Sequence, residues 1–120
     1  MDNGRDIHTL KKMAVRFRDE REWKQFHTVK NLAAGLALEA AELQDLFLWK
    51  TDGEAEALLE TEEARQRFKE ELADICIYLL YLSNDYGIDL SEAVTEKIAL
   101  NGKKYPVEKS RGNCRKYNEI

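Results

Sequence analysis

The chain has 120 residues and a formal net charge of −4, with 43% hydrophobic and 35% charged residues. This length and balance are typical of one globular domain and not of a disordered chain. The acidic balance argues against binding to a nucleic-acid polymer, which needs a broad basic face, but a small anionic substrate remains compatible because a metal ion can invert the local charge.

Two long helices are predicted in the first half of the chain. The first covers residues 6–20, because apolar side chains recur on one face at helical spacing: Ile7, Leu10, Ala14 and Phe17. The segment Trp23–His27 breaks this pattern and brings together two aromatic rings and an imidazole. The second helix covers residues 28–49, with Thr28 as its N-cap. Its apolar stripe consists of Leu32, Leu36, Leu43 and Phe47.

Two further helices are predicted in the second half, after a short helical turn within residues 54–60. The third covers residues 61–84, and its apolar face is made of Phe68, Leu72, Ile75, Leu79 and Leu82. The fourth begins at Asp89 or Ser91, since both residue types cap helices, and Asp89 has the glutamate three residues on that a capping box prefers. A proline ends it, and residues 106–120 form a polar, partly basic tail.

Four main helices with short connections predict an all-α fold, an antiparallel helical bundle within one domain of residues 1–120. Residues 75–82 are apolar nearly all round the third helix, so they need cover on more than one side. In a chain this small, the second side is expected to meet another copy of the chain, and oligomerisation is predicted to complete the bundle. The same run is too short to span a bilayer, so no membrane segment is expected.

The two cysteines, Cys76 and Cys114, stand in an apolar run and in the polar tail. Cysteines so placed do not make a disulfide framework, which favours a reducing, cytoplasmic location. Residues 1–13 lack the apolar core of a secretory signal, and no targeting motif is apparent.

Two acidic motifs, Glu39-Ala-Ala-Glu42 and Glu71-Leu-Ala-Asp74, lie on the second and third predicted helices. Residues three apart share a helix face, so each motif presents two carboxylates on one side. Glu39 falls within the apolar stripe of its helix, where a carboxylate is costly unless it is paired or bound to a metal ion. If these helices are antiparallel neighbours, the four acids converge into an oxygen-ligand site for Mg²⁺ or Mn²⁺.

Two other interpretations of these acids stand beside the metal site. The chain has 23 acidic residues, so acid pairs at this spacing also arise on solvated helix faces, and spacing alone supports both interpretations equally. A di-iron carboxylate bundle would need Glu-x-x-His pairs on two helices. Neither His8 nor His27 follows a glutamate at that spacing, which argues against di-iron.

Other side chains suggest a nucleotide. Lys97, Asn101 and Lys104 share one side of the fourth helix and could face a phosphate group, although a solvated basic stripe explains the spacing equally well. An aromatic slot could stack on a base, with Trp23, Phe26, His27 and Trp49 as its candidate members. Without other observations, core packing is the stronger interpretation of these rings.

Taken in order, the residues resemble the MazG-like nucleoside triphosphate pyrophosphohydrolases, whose signature is EXXE followed by EXXD. Here Glu39-x-x-Glu42 is followed, after 28 residues, by Glu71-x-x-Asp74. The wider match is similar to the dCTP pyrophosphatase branch, and it covers about residues 8–117. The matching segments are 23–27, 30–32, 39–43, 47–50, 70–74, 97–106 and 115–117. The whole ordered set is far more specific than the acidic signature alone.

This resemblance implies an all-α enzyme that uses Mg²⁺ to hydrolyse an NTP or dNTP to the monophosphate and pyrophosphate, dCTP first, in nucleotide-pool house-cleaning. It also implies a homotetramer, assembled as a dimer of dimers, with active sites that involve neighbouring subunits. The implied catalytic metal ligands are Glu39, Glu42, Glu71 and Asp74. The implied triphosphate and sugar contacts are Lys97, Asn101, Lys104 and Tyr105. The implied base-side contacts are Trp23, His27, Trp49 and Tyr78.

The chain departs from that branch at two positions. Thr28 stands where a small polar residue or proline is common, and Gly102 where relatives often carry a basic side chain, which affects one phosphate contact.

One glutamate, Glu39 or Glu42, is expected to orient or deprotonate the attacking water. The alternative function is a non-catalytic helical module that binds a nucleotide or a protein through an acidic groove.

Overall fold

The computed structural model describes residues 4–120, and every regular element in that range is helical. The six α-helices are α1 (Ile7–Glu20), α2 (Val29–Asp45), α3 (Asp52–Leu58), α4 (Glu62–Asp85), α5 (Leu90–Lys104) and α6 (Val107–Ser110). Two short 3₁₀ helices cover Lys24–Phe26 and Tyr117–Glu119. The predicted all-α class is confirmed, with the four main predicted helices corresponding to α1, α2, α4 and α5. Over the same residues, none of the helices combines the length and the apolar composition that crossing a membrane requires.

The main helices begin at side-chain caps. The Thr28 hydroxyl accepts a hydrogen bond from the Asn31 N–H at 3.2 Å, as predicted for the start of α2. At the start of α5, the Asp89 carboxylate accepts from the Glu92 N–H at 3.0 Å, so Asp89 and not Ser91 is the cap. These local bonds fix where each helix starts and therefore which residues share its faces.

Helix α2 ends at Asp45, short of the predicted end at Trp49. Residues 46–49 form turns, in which the Phe47 N–H donates to the Gln44 carbonyl at 3.0 Å. The C-cap Leu46 is still right-handed, with a φ of −59°, and the run of turns ends at Trp49, whose φ of 65° is left-handed. The apolar spacing of Leu43 and Phe47 continues through these turns, which is why periodicity alone extends the helix too far.

The chain separates into two compact units, the first ending at Gly87 and the second covering Ile88–Ile120. In the first unit, α4 packs against both α1 and α2. Gly35 of α2 faces Tyr78 of α4, and the Phe47 and Phe68 rings lie 6.0 Å apart. Higher residue numbers in α2 therefore face lower residue numbers in α4, so these two helices are antiparallel. The organisation of residues 1–120 as one domain stays a prediction.

The apolar core of the described chain is small, consisting of Leu32, Leu46, Leu80 and Tyr81. Large apolar side chains remain exposed on α4, among them Leu72 and Leu79, and the thiol-bearing Cys76 between them is free and exposed. Hydrophobic burial is the main stabilising contribution to folding. Because these side chains are exposed in a single protomer, they do not contribute to its stability through burial. The predicted oligomerisation would supply the missing cover and stays a prediction.

Candidate active site

Three carboxylates converge between α2 and α4. One oxygen from each of Glu39, Glu42 and Glu71 lies within 4.8 Å of the other two. Glu39 and Glu71 are half-buried, whereas Glu42 is exposed. The arrangement follows from the local structure, because Glu39 and Glu42 are three apart on one helix face and the antiparallel packing brings Glu71 opposite them. We call these three residues the acidic cluster.

The acidic cluster is electrostatically strained. Burial, the proximity of the Glu71 and Glu42 carboxyl groups, and the negative charges of Glu42 and Asp74 raise the pKa of Glu39 to about 7. Oε2 of Glu39 and Oε2 of Glu71 are both buried and have no hydrogen-bond partner within residues 4–120. Buried acceptors without a donor are unfavourable. A hard divalent cation would satisfy both oxygens and offset the repulsion, so the cluster fits a metal of the Mg²⁺ type.

Asp74, the fourth predicted metal ligand, lies beside the acidic cluster. It is exposed, one turn of α4 beyond Glu71, and its oxygens are not part of the three-carboxylate group. Its charge nevertheless contributes to the raised pKa of Glu39, and both side chains line the same cavity. The structure thus brings together three of the four predicted acids and places the fourth next to them.

The cavity beside the acids has a volume of about 560 Å³ and lies among α1, α2, α4 and the loop that follows α1. Helix α1 contributes an apolar wall of Leu10, Met13, Ala14 and Phe17. Besides Phe17, the aromatic and imidazole rings that line the cavity are those of Trp23, His27, Tyr78 and Tyr81. A cavity of this size that is mostly apolar and has carboxylates at one side is typical of a small-molecule site.

Tyr78 lies directly across the backbone of α2 at Gly35. A Cβ atom on Gly35 would be 2.5 Å from both Cε1 and Cζ of Tyr78 and 2.7 Å from its hydroxyl oxygen. Any side chain at this position would therefore displace the Tyr78 ring. Sequence reasoning missed Gly35, although a glycine inside a helix costs about 1 kcal/mol relative to alanine and is itself a signal of close packing.

His27 presents a neutral imidazole to the cavity. Burial and the positive charge of Arg18 lower its pKa below the ordinary value of 6.5, so the ring is uncharged at neutral pH and has one donor and one acceptor nitrogen. Nδ1 is buried and has no hydrogen-bond partner in the described part of the chain. The ring centroid lies 5.0 Å from that of Tyr81. This imidazole is therefore available to hydrogen-bond a polar ligand.

The structure places the fourth predicted base-side residue elsewhere. Trp23 lines the cavity and packs edge-on against Phe17, with centroids 5.7 Å apart. Trp49 does not line it; its side chain is 93% exposed in the turn after α2. Within one protomer, the cavity wall therefore contains three of the four predicted base-side residues: Trp23, His27 and Tyr78.

The predicted phosphate and sugar contacts belong to the second unit. Lys97, Asn101 and Lys104 are exposed on α5, and Tyr105 caps its C-terminal end. The Lys104 ammonium lies 5.0 Å from the centroid of the Tyr117 ring, which also packs edge-on against Tyr105. These contacts order the end of α5, and the role of the four residues in substrate binding stays a prediction.

Sequence reasoning also missed Tyr81 and the buried Arg18–Asp85 ion pair that lies behind it. Tyr81 had a signal, since it follows Tyr78 by three residues and so shares its helix face. The ion pair had none, because its members are 67 residues apart in a chain rich in charges. Only tertiary packing identifies which arginine and which aspartate meet.

Comparison with known proteins identifies the family. The MazG-like family model matches residues 35–120. The dCTP pyrophosphatase 1 of Homo sapiens is 38% identical over 114 residues, which is 95% of this chain and 67% of that protein. The dCTP pyrophosphatase 1 of Bos taurus is also 38% identical, over 95% of this chain and 68% of its own length. A solved pyrophosphatase from Archaeoglobus fulgidus has a TM-score of 0.79 at 36% identity, covering 88% of this chain and 97% of that one. With most of its length matched by the family and its acids grouped as described, the chain belongs to the MazG-like family.

Proposed function

We propose that this protein is a metal-dependent nucleoside triphosphate pyrophosphohydrolase with a preference for dCTP. The observation that carries the proposal is the acidic cluster, with two buried unpaired oxygens, beside a ring-lined cavity of about 560 Å³. Two relatives of similar sequence are named dCTP pyrophosphatase 1. The proposed role is the removal of dCTP from the nucleotide pool as dCMP and pyrophosphate.

The metal-binding residues in this proposal are Glu39, Glu42 and Glu71, together with the adjacent Asp74. Their oxygen donors suit Mg²⁺, with Mn²⁺ as the alternative. When bound, the metal would neutralise part of the charge of the triphosphate and make the attacking water easier to deprotonate. Glu39 or Glu42 orients the attacking water or accepts its proton. Attack at the α-phosphorus breaks the bond to the bridging oxygen that leaves with pyrophosphate.

The phosphate and sugar contacts are assigned from the resemblance in residue order. Lys97, Asn101 and Lys104 supply one amide and two ammonium groups, which would stabilise the negative charge on the leaving pyrophosphate. Tyr105 follows at the same helix end and belongs to the same set of triphosphate and sugar contacts. Gly102 provides no side chain here, so these residues carry the phosphate contacts without help from that position.

Base selection is assigned to the cavity wall. Trp23 and Tyr78 provide ring faces and edges, and the neutral His27 provides one donor and one acceptor. A wrong base would leave polar groups unpaired in apolar surroundings, which is an effective way to reject it. Because α1 gives this side of the acidic cluster an apolar wall, we place the nucleobase end of the substrate here.

The proposed assembly is a dimer of dimers. The exposed apolar surface of α4, including Leu72 and Leu79, and the exposure of Trp49 support association between copies of the chain, and the dimer-of-dimers arrangement rests on the resemblance. A neighbouring subunit that covers this surface could also bring Trp49 to a base. Light scattering at micromolar concentration is expected to give the mass of an oligomer, and a stable monomer would contradict this part of the proposal.

Pyrophosphate release from a panel of dNTPs and NTPs, with and without Mg²⁺, tests the proposed activity. We expect release that requires Mg²⁺ and a higher kcat/KM for dCTP than for the other nucleotides. The second candidate function is a non-catalytic module that binds a nucleotide through its acidic groove. Tight dCTP binding without pyrophosphate release at any divalent metal concentration would favour that candidate.

A further inference from the structure

We infer that Arg18 and Asp85 are positioning residues for the base-side wall of the cavity. Their buried ion pair holds the aromatic loop, which we define as residues 21–28, and the ring of Tyr81 in the arrangement that receives a nucleobase. The identity of the ligand rests on the proposed function, whereas the effect on the loop does not.

The ion pair has the geometry of a strong, specific contact. Nη1 of Arg18 donates to Oδ2 of Asp85 at 2.8 Å, and Nη2 donates to Oδ1 at 3.0 Å. The two side chains are 1% and 3% exposed. A guanidinium and a carboxylate joined by two parallel hydrogen bonds fix both the distance and the plane of the contact. The pair therefore joins the C-terminal ends of α1 and α4 rigidly.

From Arg18, the contacts lead directly to the cavity wall. Its guanidinium carbon lies 5.0 Å from the centroid of the Tyr81 ring, within the range of a cation–π contact. The Tyr81 ring in turn lies 5.0 Å from His27 and packs edge-on against Tyr78 at 6.5 Å. Tyr81, His27 and Tyr78 all line the cavity. Arg18 itself is buried behind them and acts only through these rings.

Asp85 also fastens the aromatic loop. The Trp23 N–H donates a hydrogen bond to the backbone carbonyl of Arg18 at 3.1 Å, and this bond does not depend on the Arg18 side chain. The Lys24 ammonium lies 3.6 Å from Oδ2 of Asp85, the oxygen that Arg18 also contacts. Asp85 is thus shared between α1 and the loop that carries Trp23 and His27. Both cavity-lining residues of the loop lie within three residues of Lys24.

Stability alone does not explain a buried ion pair at this position. Desolvation of two charges is costly, and apolar residues of similar volume often serve a core equally well or better. An apolar pair would form no hydrogen bonds of fixed geometry. It would therefore not hold a guanidinium against the Tyr81 ring or attract the Lys24 ammonium. This ion pair sits behind the rings of the cavity, where such fixed geometry determines the shape of the wall.

The test replaces both charges at once, because a single substitution would leave an unpaired buried charge and could unfold the protein. In Arg18→Met/Asp85→Asn, we expect KM for dCTP to rise about tenfold while kcat stays within about twofold, since base contacts are mostly uniform binding. The preference for dCTP over the other dNTPs should fall with it. The matched control is Arg16→Met/Glu20→Gln, which removes the exposed ion pair of α1 (2.9 Å) and should leave both parameters unchanged.

A second readout does not depend on activity. The chain has two tryptophans, so in a Trp49→Phe background the fluorescence comes from Trp23 in the aromatic loop. The double variant should shift this emission to longer wavelength and increase its quenching by acrylamide, at unchanged far-ultraviolet circular dichroism. Unchanged Trp23 fluorescence together with unchanged KM would overturn the inference. If the wild type does not hydrolyse dCTP, the proposed function fails, and the fluorescence result alone decides whether the ion pair positions the loop.

Discussion

Helix α4 takes part in two groups of partly buried charges that are organised in opposite ways. Near its middle, Glu71 faces Glu39 and Glu42, and these are three groups of the same charge type. The buried oxygens of Glu39 and Glu71 lack donors in the described chain. At its C-terminal end, Asp85 receives two hydrogen bonds from Arg18 and the nearby charge of Lys24. The group at the C-terminal end pairs opposite charges and supports the structure, although Nε of Arg18 is buried without a hydrogen-bond partner in the described residues. The group of like charges needs a cation from outside to balance it. The acidic cluster thus marks the candidate catalytic end of the cavity, and the Arg18–Asp85 ion pair marks what we call its supporting end.

The largest expected effect follows from removing one carboxylate of the acidic cluster or the adjacent Asp74. Glu42→Ala and Asp74→Ala should each lower kcat for dCTP by about 1,000-fold or more, because the proposed metal loses a ligand. Both residues are exposed, so circular dichroism should show the helical content of the wild type. Glu56→Ala, which removes an exposed acid of α3, is the matched control for lost negative charge. Wild-type turnover in both site variants would refute the assignment of the metal site.

The two charge groups should also give opposite dependences of stability on pH. Because the pKa of Glu39 is raised to about 7 in the folded protein, folding favours its protonated form. Its contribution to stability is therefore full below its ordinary pKa of 4.5 and is lost as pH rises through about 7. Thermal melts in the presence of a chelator should show a falling Tm over this range. Mg²⁺ should restore the Tm at alkaline pH, and Glu39→Gln should remove most of both effects.

Asp85 provides the internal comparison for this experiment. Although burial raises the pKa of its carboxyl group, the hydrogen bonds from Arg18 and Asn84 and the positive charge of Arg18 outweigh burial and lower it below 3.8. Its contribution is thus present above that ordinary value and is lost as pH falls through the lowered pKa. Arg18→Met/Asp85→Asn should flatten the acid side of the profile only. A variant that instead changed the alkaline side would show that the two groups are coupled.

Gly35→Ala probes the contact between α2 and Tyr78 of α4. Alanine normally stabilises a helix interior by about 1 kcal/mol over glycine. Here its Cβ would meet the Tyr78 ring, so we expect a net loss of stability and a rise in KM for dCTP. Gly102→Ala is the matched control, because nothing lies within 4 Å of its Cβ position in α5, and it should raise Tm. A higher Tm in both variants would contradict the close packing at Gly35.

Local and periodic information in the sequence predicted most of the helices. The Thr28 and Asp89 caps depend on side chains within three residues of the backbone groups they bind, and such contacts are legible without tertiary structure. The turn after α2 was not predicted from the sequence, because Leu43 and Phe47 keep the helical spacing beyond the point where the backbone leaves the helix. The helix gives way after Asp45 to turns in which the N–H groups of Leu46, Phe47 and Leu48 bond the carbonyls three residues before them, a change that apolar periodicity does not encode.

The acidic end of the cavity was also more predictable than its supporting end. Glu39 stood out because a carboxylate inside an apolar stripe conflicts with its surroundings, and spacing then linked it to Glu42 and Glu71. Arg18 carries no such conflict, since it sits among other charges, and Asp85 follows the apolar run of residues 75–82 with no charged neighbour to suggest a partner. Their pairing depends on how α1 and α4 pack, and the same is true of Gly35 and Tyr78. Ligand sites leave a local inconsistency in the sequence, whereas supporting contacts appear only in the folded chain.

The smallest expected effect on stability, and the sharpest test of the base-side wall, comes from Trp49. Its side chain is 93% exposed in one protomer, so Trp49→Ala removes almost no packing and should leave Tm nearly unchanged. If a neighbouring subunit places this ring against the base, KM for dCTP should rise by about tenfold, the lower part of the range for loss of base stacking. The value of kcat should change less, because stacking binds ground state and transition state alike. Trp49→Phe keeps a ring and should restore most of the affinity. An unchanged KM in Trp49→Ala would remove Trp49 from the site, and equal kcat/KM for all four common dNTPs would refute a base-selective wall while leaving the acidic cluster intact.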